Sequence, residues 1–121
     1  MAKNYVGEGK VVQIVNAGSA IASGAVVRVG QQIGIALEDI AATTGTGSVA
    51  LDGRFTVAKV SAAVIAQGEM VMWDASASAF DDNAATPASG DVTNAATAAE
   101  AAGAGVLTID IILANRIGTV A

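Results

Sequence analysis

The 121-residue sequence contains no histidine and no cysteine. Histidine is the commonest general base and a frequent zinc ligand, and cysteine supplies thiolate nucleophiles and disulfides. Their absence removes most hydrolase and transferase mechanisms and all disulfide bonds. The sequence also lacks a Gly-x-x-x-x-Gly-Lys-Ser/Thr loop, which excludes P-loop ATP chemistry. We therefore predict a protein that is not an enzyme and that binds no cofactor, metal or small-molecule substrate.

Aromatic and basic residues are also scarce. The four aromatic residues are Tyr5, Phe55, Trp73 and Phe80, and most other apolar residues are alanine and valine. The hydrophobic core should therefore be thin, and small or thin cores are often completed by oligomerisation. The formal net charge is −5, and the six cations are scattered singly. Without a basic patch, a nucleic-acid partner is not expected.

Long apolar runs are missing as well. The most apolar stretches, residues 21–29 and 106–114, are far shorter than the roughly 18 residues of a membrane span. The first ten residues have no apolar core of the kind that a signal peptide needs. We expect a soluble protein that is synthesised in the cytoplasm and has no membrane partner.

The residues that are present indicate an all-β fold. Fourteen glycines and one proline separate short runs rich in valine and isoleucine, the pattern of a many-stranded antiparallel domain. We assign residues 1–9 to an N-terminal arm and residues 10–121 to a single β domain. The predicted strands are Lys10–Asn16, Ala25–Gly30, Ile33–Glu38, Ser48–Lys59, Met70–Asp74 and Val106–Ala114. In the last of these, the alternation predicts one buried face formed by Leu107, Ile109, Ile111 and Leu113.

The segment Ser48–Lys59 allows two interpretations. Asp52-Gly53 is a common two-residue hairpin turn, yet Val49, Leu51, Phe55 and Val57 keep one parity across it. A hairpin would not require that continuity. The pattern favours one long strand with Gly53 at a bulge or a close backbone approach.

Two pairs of similar passages suggest an internal duplication around one core. The passage from Ile21 to Val27 resembles that from Ile65 to Val71, and each has a central glycine. Residues 36–49 and 98–106 form a second pair, each running from Ala-x-Glu through Gly-x-Gly to valine. The alanine-rich segment Ala95–Glu100 has the composition of a helix. The duplication predicts a strand there instead.

Residues 75–94 are predicted to form a surface excursion from the domain. They are rich in alanine, serine, threonine and asparagine, and their periodicity is weak except near Phe80, which could anchor a short edge strand. Asp81, Asp82 and Asp91 have no nearby cation in sequence, so their burial would be costly. We expect the segment to be exposed and to face away from any bound partner.

Several passages together resemble a family of small head proteins of tailed phages. They are the opening Met1-Ala-Lys-Asn-Tyr-Val-x-Glu-Gly9, Ala22-Ser-Gly24, the run from Gly47 to Phe55 with Lys59, and Trp73-Asp74. The resemblance to these capsid decoration, or cement, proteins covers nearly the whole chain. Some relatives are labelled as predicted recombinases, a label that the missing P-loop argues against.

The resemblance implies a β-sandwich or jelly-roll-like single domain, a structural role and a location in the virion. Members of such a family assemble as homotrimers on the outer surface of an icosahedral head, bind the major capsid protein and stabilise the shell. A phage head fibre or adhesin module is the alternative function, and a DNA-handling protein is a third. For partner binding we single out Lys3, Asn4, Tyr5 and Val6 in the arm, where glycines leave the backbone loose. The alternative is that these residues form a simple first strand.

Overall fold

The computed structural model describes residues 9–121. Within this range the chain forms ten strands and no helix, so no described helix could span a membrane. The strands are Val11–Asn16 (β1), Val26–Val29 (β2), Gln32–Ala36 (β3), Gly45–Ala50 (β4), Asp52–Ala58 (β5), Met70–Asp74 (β6), Ala79–Asp82 (β7), Val92–Ala98 (β8), Thr108–Ala114 (β9) and Thr119–Val120 (β10). The fold is therefore all-β, as the glycine-punctuated valine and isoleucine runs predict.

The strands form two antiparallel sheets in the manner of a β-sandwich. The first sheet has the order β1-β4-β3-β2. The second has the order β5-β9-β8-β6-β7, and β10 pairs with β8. A parallel bridge between Lys59, just after β5, and Phe80 on β7 joins the two edges of the second sheet. The second sheet therefore curls round on itself, whereas β1 and β2 remain the edges of the first.

The hydrogen-bonding registers of the two sheets are equivalent, which supports an internal duplication. If 43 is added to each residue number of β1 and 62 to each residue number of β4, the register of β1 with β4 becomes that of β5 with β9. Adding 44 to β2 and 62 to β3 likewise gives the pairs Met70 with Thr97 and Val71 with Ala96. The flanking bridges Ile21–Ile40 and Ile65–Ala102 obey the same offsets. We call residues 9–51 the first half and residues 52–121 the second half.

The main difference between the halves is an insertion in the second. The offset rises from 44 on β6 to 62 on β8, so the extra residues lie between these two strands. They include β7, which pairs with β6 and has no counterpart in the first half. The insertion is the element that allows the second sheet to curl.

Two clusters of apolar side chains replace the single core expected from the sequence. The main cluster lies in the second half and also receives Ile33 and Ile35 from β3. The smaller cluster lies in the first half and contains Ala36, Ile40, Val49 and Leu51. Every aromatic residue of the described range, namely Phe55, Trp73 and Phe80, belongs to the main cluster. The first half must therefore pack aliphatic side chains alone.

The predicted strand at Ala95–Glu100 is confirmed by β8, despite the helical composition of the segment. Ala95, Ala96 and Ala98 are all buried in the main cluster. Burial between neighbouring strands overrides the intrinsic helix propensity of alanine, because small side chains allow close packing against both neighbours.

The structure corrects two strand assignments. Ser48–Lys59 is not one strand: the chain bends at Leu51, and β4 and β5 belong to different sheets. The parity argument still holds, because Val49, Leu51 and Val57 are all buried. The last strand begins later than predicted, because β9 begins at Thr108. Leu107, which was assigned to the buried face of this strand, is 65% exposed.

Residues 75–94 are more structured than expected for a surface excursion. They contain β7 and the start of β8, and Phe80 is fully buried against Trp73, with ring centroids 5.1 Å apart. The expected exposure of Asp91 is wrong, because its side chain is 2% exposed. Backbone N–H groups of Ala75 and Ala88 donate to its two carboxylate oxygens at 3.0 and 2.9 Å. These hydrogen bonds offset the cost of burial without a cation.

Candidate functional site

A buried lysine organises one end of the second half. The side chain of Lys59 is 3% exposed, and its Nζ donates to the carbonyl oxygens of Val60 at 2.8 Å, Val106 at 3.1 Å and Ser61 at 3.3 Å. The ammonium group has three donors, so these contacts match its capacity. The turns before β6 and before β9 are thereby fastened to each other. We interpret Lys59 as a structural residue, because backbone carbonyl oxygens occupy all three donors of its ammonium group.

Asn16 has the same role in the first half. It occupies the position equivalent to Lys59, and it too is buried, at 7% exposure. Its Nδ2 donates to the carbonyls of Ser19 and Ala41, and its Oδ1 accepts a hydrogen bond from Gly18 N. Both halves therefore use a polar side chain at the end of the first strand to join two turns.

The turns joined by Lys59 carry three exposed apolar side chains, which we call the apolar tip: Val64, Val106 and Leu107. Their exposures are 62%, 43% and 65%. The backbone beneath them is fixed, because Gly105 N donates to Ser61 O at 2.7 Å, and Ile65 and Ala102 exchange two hydrogen bonds of 2.9 Å. The apolar side chains are thus held outward on a rigid support.

The fold itself does not require the apolar tip. The equivalent positions in the first half, by the same offsets, are Ala20, Thr44 and Gly45, which are small or polar. The same turns can therefore be built without large apolar side chains. Exposed apolar patches on soluble proteins commonly mark interaction sites. The apolar tip is accordingly the strongest candidate for a partner contact in the described range.

A groove of mixed character adjoins the apolar tip. It is lined by Val64 and Ala63 on one side and by Asp81, Asp82 and Ala85 on the other. Backbone N–H groups satisfy part of each carboxylate, since Asp82 N donates to Asp81 Oδ1 and Ala84 N donates to Asp82 Oδ1. Both acidic side chains remain partly exposed. A partner that covered the tip and groove would need apolar surface next to cationic groups.

The outer face of the second sheet is polar. Arg54 contacts Asp110 through Nη2 at 2.9 Å and Nε at 3.0 Å, and the Thr56 hydroxyl donates to the same carboxylate at 2.6 Å. The pKa of Asp110 lies below its usual value of 3.8, mainly because of the hydrogen bond from the Thr56 hydroxyl and next because of the hydrogen bond from Arg54. This exposed ion pair is a feature of a solvated sheet face, and its contribution to stability is small.

An incompletely covered apolar face lies on the first sheet. We call it the open face: Val12, Ile14, Ile21, Val27 and Val29. All five pack against the small cluster, yet all five remain partly exposed. Their equivalents in the second half are Phe55, Val57, Ile65, Val71 and Trp73. Val57, Ile65 and Val71 are buried in the main cluster, and Phe55 and Trp73 are partly buried against it. The second half covers this surface with β7, and the first half has no such strand.

The partner-binding residues predicted from sequence, Lys3, Asn4, Tyr5 and Val6, lie outside the described residues 9–121. Their role therefore stays a prediction. Sequence reasoning missed the apolar tip, because Leu107 was assigned to a buried face and Val64 stood alone in a turn. The duplication offers a signal that would have found it, since large apolar residues replace small ones at equivalent turn positions.

Comparison with known protein families gives one match. A family model described as phage cement protein matches residues 6–113. The matched range covers nine of the ten strands, both apolar clusters and the apolar tip. No curated protein matches the chain.

Proposed function

Since the chain belongs to the phage cement protein family, with a structural role in the capsid, we propose that it binds the outer surface of a phage head as a homotrimer and stabilises the shell. The partner is the major capsid protein, and the interaction involves no catalysis. In this proposal the protein is made in the host cytoplasm and ends in the virion. The N-terminal arm, including Lys3, Asn4, Tyr5 and Val6, contributes partner contacts.

The observation that carries the proposal is the apolar tip. A cement protein needs a rigid scaffold that presents contact residues, and Lys59 fixes the two turns that carry Val64, Val106 and Leu107. We assign this tip to the contact with the shell. Three such tips on one trimer would act together, because the second and third contacts form at high effective concentration.

The charge next to the tip defines the chemistry of the partner. Asp81 and Asp82 line the groove beside Val64, and the chain has a net charge of −5. The coat surface should therefore present apolar side chains flanked by lysine or arginine. This assignment replaces the sequence-based expectation that residues 75–94 face away from the shell, because Asp81, Asp82 and Ala85 share the groove with Val64.

The test is a double substitution at the tip, Val64→Ser with Leu107→Ser, in the full chain. Both side chains are mostly exposed, so the fold should survive while the number of copies per head falls at least tenfold. Ile117→Ser is the matched control, because Ile117 is 68% exposed outside the tip. Occupancy is measured on gels of purified heads, with folding checked by circular dichroism. Normal occupancy of the double variant would refute the role of the tip.

The copy number of the unmodified protein separates the proposed function from its alternative. A cement protein should approach the abundance of the coat protein in purified particles, whereas a head fibre or adhesin should be scarce. A protein that is absent from particles, or that binds single-stranded DNA with steep salt dependence, would instead favour a DNA-handling role.

A further inference from the structure

We propose that Tyr5 of a second copy of this chain covers the open face of the first half, in the place that Phe80 occupies in the second half. The proposal rests on the self-association included in the proposed function. It goes further by naming the two surfaces that meet: the N-terminal arm of one copy and Val12, Ile14, Ile21, Val27 and Val29 of its neighbour.

The second half shows what such a surface requires. There, β7 pairs with β6 in antiparallel register, with Phe80 opposite Trp73 and Asp81 opposite Met72. The Phe80 side chain is fully buried in the main cluster. The equivalent of Trp73 in the first half is Val29, and nothing within the described residues pairs with β2 on its outer side. The open face therefore lacks an aromatic side chain presented by one additional strand.

The composition of the chain identifies the occupant. Three of its four aromatic residues already belong to the main cluster, and the fourth is Tyr5. Val6 follows it directly, so the arm offers two adjacent side chains with apolar surface. The arm also has only two charged side chains, Lys3 and Glu8, which an edge strand at a sheet rim can direct to solvent.

The direction of the strand requires a second copy. In the second half β7 runs parallel to β5 and meets it at Lys59, whose equivalent at the end of β1 is Asn16. A strand in the same place on the first half would run parallel to β1, with its aromatic residue close to Asn16. Parallel neighbours need a connection of about a dozen residues or more. Only four residues separate Tyr5 from Lys10 at the start of the described domain.

Reach leads to the same conclusion. From Lys10 to Asn16 the strand covers about 20 Å, at roughly 3.4 Å per residue. The chain from Tyr5 to Lys10 spans at most about 18 Å when fully extended, without any allowance for a reversal. The arm of the same chain therefore cannot place Tyr5 beside Asn16 in this orientation, whereas the arm of a neighbouring copy is not limited by this connection.

The absence of cysteine makes the contact testable by disulfide cross-linking. In the register of β6 with β7, Tyr5 of one copy lies opposite Val29 of the other. We would prepare full chains carrying Tyr5→Cys or Val29→Cys, mix them and oxidise them, both in solution and on heads. A disulfide forms when the Cα atoms are within about 7 Å. The expected product is a covalent dimer of one chain of each kind.

Arg28→Cys is the matched control, because Arg28 is next to Val29 but points to the opposite, exposed face. It should give at least tenfold less cross-link with Tyr5→Cys. A further variant carries both Tyr5→Cys and Val29→Cys in one chain. A disulfide that forms only within single chains of this variant would overturn the proposal. So would a bond to the coat protein, or no bond in solution and on heads. If the protein still occupies heads at high copy number, only this contact has failed; absence from heads would instead refute the proposed function.

Discussion

The first and second halves repeat one strand pattern but differ in how completely they are covered. The second half has β7, three aromatic residues and a continuous apolar cluster. The first half has glycine at Gly34 and Gly47, where the second has Ala96 and Ile109, and five aliphatic side chains remain partly exposed. The second half therefore covers its apolar surface more completely than the first, although its main cluster also receives Ile33 and Ile35 from the first half. The comparison shows that one strand pattern can be covered to different extents in two copies.

The strongest test of the comparison removes the side chain that only the second half has. Phe80→Ala should reduce the free energy of unfolding by about 3–5 kcal/mol, because it empties a fully buried aromatic site against Trp73. Urea unfolding measures the change. Val15→Ala is the control, since Val15 is 68% exposed on the first half, and it should change stability by no more than about 0.5 kcal/mol. A loss below about 1 kcal/mol for Phe80→Ala would mean that β7 is not the main cover of the second half.

The next test concerns the feature that both halves share. Lys59→Met and Asn16→Leu each remove the donor that joins two turns, and each removes a hydrogen bond from carbonyl oxygens of both turns. Each should cost about 1–3 kcal/mol of unfolding free energy. Chemical denaturation measures both, with Arg28→Met as an exposed control. If only one variant is destabilised, the two polar side chains are not structural equivalents.

A comparable effect is expected from enlarging the core of the first half. A Cβ at Gly34 would lie 2.4 Å from Val49 Cγ1 and 2.8 Å from the carbonyl oxygen of Ala50. Gly34→Ala should therefore destabilise the protein by about 1–3 kcal/mol, although alanine is the natural residue at the equivalent Ala96. Gly103→Ala is the control, because its Cβ would meet nothing within 4 Å. Thermal unfolding that ranks Gly34→Ala as the more stable variant would show that the first half has room that its packing does not reveal.

The smallest expected effect lies on the polar face that distinguishes β5 from β1. Thr56→Val removes the hydroxyl that donates to Asp110, so the pKa of Asp110 should rise toward its usual value of 3.8. Because the folded-state pKa is lowered, this carboxylate stabilises the fold above pH 3.8, and its contribution disappears as the pH falls through the folded-state value. An NMR titration measures the shift. Asp74, whose pKa the Ser76 hydroxyl lowers, should not change. An unchanged Asp110 would assign its low pKa to Arg54 alone.

Local sequence patterns were sufficient for much of the strand assignment. Met70–Asp74 was predicted with the bounds of β6, and alternation identified the buried Ile109, Ile111 and Leu113 of β9. The repeated passages correctly indicated that Ala95–Glu100 is a strand. These predictions succeeded because period-2 burial and glycine turns are local properties of the chain.

The division of Ser48–Lys59 at Leu51 could not be predicted in the same way. The alternation of buried and exposed residues continues across the bend. The sequence pattern is therefore the same whether the segment is one strand in one sheet or two strands in two sheets. The sequence offered the short strand β7 only as an alternative anchored by Phe80, because four residues around a single aromatic give too little periodicity. Only the pairing with β6 and the bridge to Lys59 define it.

The sequence by itself determined the all-β class, the absence of histidine and cysteine and the repetition of one unit, because these depend on residue types and their order along the chain. Only the tertiary structure decided that the sheet of the second half curls round on itself through β7 while the sheet of the first half keeps two open edges. Burial of Asp91, the hydrogen bonds of Lys59 and the exposure of Val64 and Leu107 all depend on contacts between segments distant in sequence. Such contacts set the cost of burial and the geometry of a surface, and no local pattern encodes them.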